Sequence, residues 1–82
     1  MSTEFIQLRG HRLELKRQLK SLEIRADNHI ITVRNKIDPL LDFHEIEIDH
    51  AEQALISLKV IIKEAREIQS RIRKINGQIG DE

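Results

Sequence analysis

The sequence predicts an all-α protein: a two-helix antiparallel coiled-coil hairpin that dimerises into a four-helix bundle. Three observations carry that expectation. Apolar residues recur at alternating steps of three and four, the spacing of a helix packed along one seam. The chain has 82 residues with 34% charged side chains, so it makes one small domain spanning 1–82. Fourteen isoleucines and nine leucines supply more apolar surface than a two-helix seam consumes.

The first helix is predicted over about 3–36. Phe5, Leu8, Leu15, Leu19, Leu22, Ala26 and Val33 share one heptad frame, interrupted by Arg12, His29 and Lys36. Ile30 and Ile37 sit beside that seam and are placed to take over at its C-terminal end. Gly10 costs a helix about 1 kcal/mol relative to alanine, so the start is expected anywhere from 3 to 11. Pro39 disfavours helical backbone in the residue before it and closes the helix near Lys36.

The connection, about 38–48, is longer than most helix–helix links. Asp38 is expected to cap a single turn through Pro39, Leu40 and Leu41. Phe43, Ile46 and Ile48 look too apolar for a solvated loop and are expected to plug the open end of the helix pair. The second helix is predicted over about 50–76. Its seam is Ala51, Ala54, Leu58, Ile61, Ala65, Ile68, Ile72, Ile75 and Ile79. Asp49 would cap it with Glu52 three residues on, and Gly77 would end it in a left-handed conformation. A competing start at Asp42, with Glu45 completing the capping box, is also open.

Composition excludes several functions. Without cysteine there is no disulfide, thiolate chemistry or Cys-ligated metal. No apolar run approaches the roughly 18–20 residues of a membrane span, and the N-terminus has no signal-peptide layout, so the chain is expected in the cytoplasm. The serines and threonines are not next to histidines, and the three glycines are isolated. An enzyme is therefore not expected, and neither is a cofactor. The connection holds Asp42, His44, Glu45, Glu47, Asp49 and His50, but neither the zincin nor the EF-hand spacing is present, so no metal is expected. His29 on the seam would be a pH-sensitive packing residue, or a histidine at the edge of a loosened layer.

Charge is neutral overall, 14 basic against 14 acidic residues, yet uneven along the chain. Residues 37–57 carry six acids and no lysine or arginine, whereas residues 1–36 carry eight basic and four acidic groups. A hairpin of this sequence is acidic at its turn and basic at its termini. The basic end supports an alternative reading as a small regulatory nucleic-acid-binding protein, through Arg9, Arg12, Lys16, Arg17, Arg71, Arg73 and Lys74. Against it stand the scarcity of aromatics and the interleaved acids.

Length and helical-hairpin organisation, with Pro39 in the turn, are similar to those of type III secretion needle subunits. This chain departs from that family in lacking its Pro-x-x-Pro turn and helix-1 tryptophan. A secretion or filament subunit is accordingly a further alternative. The leading expectation is a non-catalytic oligomerisation or protein–protein interaction module. Its intrachain seam is Leu15, Leu19, Leu22 and Ala26 against Leu58, Ile61, Ala65, Ile68 and Ile72. Its self-association interface is Leu13, Ile24, Ile31, Leu55, Ile56 and Ile62, apolar residues off that seam.

Overall fold

The computed structural model describes residues 3–80. Two long helices, α1 (Thr3–Lys36) and α2 (Ile48–Ile79), run antiparallel and pack against each other. A single 3₁₀ turn, Phe43–Glu45, lies between them, and no strand occurs among the described residues. The molecule measures 62 × 17 × 14 Å, with a radius of gyration of 18.3 Å. A compact chain of this length would have a radius near ~12 Å. It is a rod two helices wide.

The seam is the core. Leu15 and Leu22 of α1 are buried against Ile61, Ile68, Ile72 and Ile75 of α2, with Leu8, Leu19, Ala26, Ala65 and Ile79 packed around them. Ala51 and Ala54 are also buried. They lie at the turn end of the seam. All nine predicted α2 seam positions are buried or half-buried. Two helices offer each other only one stripe, so nothing deeper forms.

Polar pairs close the seam at both ends. Toward the termini, Nη1 of Arg12 donates to Oδ1 of Asn76 at 2.9 Å, linking residues 64 apart in sequence. At the turn, Lys36 pairs with Glu47. Both Arg12 and Lys36 occupy heptad core positions, where one polar group can fix the register of two helices.

The elements differ from the sequence expectation at their ends. α1 starts at Thr3, so Gly10 does not delay it. α2 starts at Ile48, with Glu47 and not Asp49 at the N-cap, and no side chain caps it. Asp49 stands in the first turn, where the helix dipole still favours a carboxylate. The start at Asp42 is not taken. Gly77 is helical and Gly80, at φ 73°, is the left-handed cap, donating its N–H to the Asn76 carbonyl. The helix continues past Gly77 because packing of Ile79 against the seam outweighs the cost of about 1 kcal/mol for a helical glycine.

The plug is also corrected. Phe43 is 87% exposed and Leu40 92%, and Ile48 faces outward on α2. A rod two helices wide has no third element above its end for these side chains to bury against. Ile46 and Leu41 alone are half-buried there. The Asp38 cap does form: Oδ1 accepts the Leu40 N–H at 2.8 Å and the Asp38 carbonyl accepts the Leu41 N–H at 3.0 Å.

Candidate interaction face

The heptad frame divides the rod into faces. In an antiparallel pair, the positions immediately following the second core position of each heptad come together on one broad face. On α1 these are Arg9, Lys16, Glu23, Ile30 and Ile37; on α2 they are Ile48, Leu55, Ile62, Gln69 and Asn76. The register set by Arg12–Asn76 and Lys36–Glu47 puts Ile30 level with Leu55 and Ile37 level with Ile48. Five aliphatic side chains therefore occupy the half of this face nearest the turn. Each is between 39% and 58% exposed. Leu55 and Ile62 line an open groove with half-buried Leu58, edged by Lys59, Lys63 and Arg66.

The opposite broad face is polar. His29, Thr32, His50, Gln53 and Ser57 line one shallow depression on it, and Gln18, Ser21, Glu64, Glu67 and Arg71 line another. One side of the rod is dressed for water and the other only in part.

No known protein family, curated protein or solved structure matches this chain.

The structure separates the residues expected to form one self-association interface. Leu55 and Ile62 lie on the apolar broad face. Ile24 and Ile31 lie on the outer edge of α1, turned away from α2, and Leu13 and Ile6 lie between that edge and the apolar broad face; Ile56 lies on the outer edge of α2. The helix period makes these edges point in opposite directions, so the two sets do not meet in one molecule. Ile30, Ile37 and Ile48 complete the broad face, where the sequence pattern alone predicts Ile30 and Ile37 beside the seam and Ile48 in the plug. Their spacing by sevens, matched to that of Leu55 and Ile62, was the signal. Asn76, the partner of Arg12, gave no sequence signal beyond its position.

The basic candidates do not share a stripe. Arg12 is engaged with Asn76, Arg17 lies 3.8 Å from Glu14, and Arg71 lines the polar depression that also holds Glu64 and Glu67. Arg9 and Lys16 follow the apolar broad face toward the termini, while Arg73 and Lys74 take other positions around α2. In the turn, ligand atoms of Asp42, His44 and Glu45 lie within 4.8 Å of one another, all exposed. The His44 ring meets Phe43 edge-on at 5.9 Å. Among titrating groups the clearest departure is Glu47. The Lys36 ammonium, by hydrogen bond and by charge, holds its carboxyl below the ordinary 4.5.

Proposed function

We propose that this chain is a non-catalytic oligomerisation or protein–protein interaction module, and that its docking surface is the apolar half of one broad face. The supporting observation is the asymmetry of the rod. Ile30, Ile37, Ile48, Leu55 and Ile62 stand together on one side, opposite a side of polar residues. Fully burying an isoleucine or leucine is worth about 1.5–3 kcal/mol. Half-exposed residues in a group therefore offer more than surface ion pairs, at about 0–1 kcal/mol each. Contiguous apolar patches of this kind mark interfaces. Small size points the same way, because chains without disulfides or metal commonly complete their core by oligomerising. A dimer through this face is a four-helix bundle. Light scattering at tens of micromolar should give a mass of twice 9.6 kDa. A mass of 9.6 kDa at that concentration would refute self-association.

A further inference from the structure

We infer that the occupant of the apolar face is a second copy of this chain running in the reverse direction, related by a two-fold axis at the level of Ile30 and Leu55. The inference rests on the interaction module proposed above and adds the partner and its register.

Two copies can meet face to face about an axis along the rod or across it. Either way four of the five aliphatic side chains meet one another and the fifth, Ile37 with the axis across the rod or Ile62 with it along the rod, falls opposite Glu23, so burial does not choose. Charge does. With the axis across the rod, α2 lies on α2 of the other copy: Leu55 meets itself and Ile48 meets Ile62. The heptad spacing then sets Glu52 beside Lys59, twice by symmetry, and brings Arg66 level with the acidic connection. On α1, Ile30 meets itself and Asp27 comes beside Arg34. The acidic connection bearing Asp38 and Asp42 lies over Lys20. With the axis along the rod, Asp27 and Glu52 still find cations, in Lys59 and Arg34. Lys20, however, comes against Arg66, and two connections that together hold no cation are pressed side by side. Like charges in close juxtaposition oppose that arrangement. The ends of the rod decide the orientation.

The area is adequate. The reversed copies overlap along roughly 42 Å of helix at 1.5 Å per residue. Over a width of 17 Å this covers roughly 700 Å² of each copy, within the range of stable interfaces.

Phe43 is exposed at the tip and the chain has no cysteine, so Phe43→Cys gives a single spin-label site. Dipolar spectroscopy on the labelled full chain should find the two tips roughly 40 Å apart, from 1.5 Å per residue measured from the axis. Copies side by side in the same direction would bring them within about 20 Å, one or two helix spacings. A short distance overturns the orientation and leaves the dimer standing. Absence of dipolar coupling, with monomeric mass, overturns both. Arg66→Glu and Lys59→Glu check the sign: the reversed arrangement predicts severalfold weaker dimerisation for each, with Lys59→Glu recovered by adding Glu52→Lys. Tighter dimerisation of Arg66→Glu alone would contradict it.

Discussion

Arg12 and Asn76 form a hydrogen bond of 2.9 Å between the first third of α1 and the last turn of α2. With Lys36 and Glu47 at the other end, it holds the seam in one register. A hydrogen bond donated by a partly buried arginine cation should contribute about 1.5–3 kcal/mol. In a double-mutant cycle, Arg12→Ala and Asn76→Ala should each destabilise, and their coupling should fall in that range by urea denaturation. Additive losses would mean the contact does not set the register.

Glycines in α2 and α1 carry a separate expectation. A Cβ on Gly10 or Gly77 would meet nothing within 4 Å, and both residues are helical. Alanine at either site should stabilise by about 0.5–1 kcal/mol. For a chain of this size that raises Tm by roughly 2–8 °C. Gly80→Ala should do the reverse, because φ 73° strains any side chain. Thermal melts followed by far-ultraviolet circular dichroism distinguish the three.

The core and the turn should respond in opposite ways to truncation. Ile61 is buried between the helices, so Ile61→Ala should cost about 2–5 kcal/mol. Phe43→Ala, at an exposed tip, should stay within about 0.5 kcal/mol of the native chain. A large loss from Phe43→Ala would revive the plug.

Much of this architecture was legible in the sequence because a helix pair repeats one rule along its length. Ala51 through Ile79 kept their spacing, and the structure buries them as that spacing requires. The ends were harder. Gly77 resembles a helix stop only if the apolar frame beyond it is ignored, and Phe43 resembles a core residue only if something lies above the turn. The apolar face was partly visible. Leu55 and Ile62 were recognised as surplus to the seam, but Ile30, Ile37 and Ile48 join them only once the register of α1 on α2 is fixed. That register depends on Arg12–Asn76, across nearly the whole chain, and on Lys36–Glu47, across the connection, contacts that no local pattern announces.

Glu47 gives the hairpin a small pH dependence. Because Lys36 lowers its folded carboxyl value, the pair stabilises above the ordinary 4.5 and loses that contribution as pH falls through the lowered value. Glu47→Gln should therefore lower Tm at pH 7 and match the native chain in strong acid. A Tm difference that persists unchanged into strong acid would assign the effect to something other than this ion pair.

Sedimentation equilibrium on paired variants tests the central claim most directly. Leu55→Glu/Ile62→Glu places charge on the broad face, and Ile24→Glu/Ile31→Glu places it on the outer edge of α1. None of these four residues is in the buried seam, so both variants should keep the helicity of the native chain. At tens of micromolar, the native chain and the Ile24→Glu/Ile31→Glu variant should sediment as dimers and Leu55→Glu/Ile62→Glu as a monomer. A native monomer, or a dimer that survives charge at Leu55 and Ile62 but not at Ile24 and Ile31, would contradict the assignment of the interface to this face.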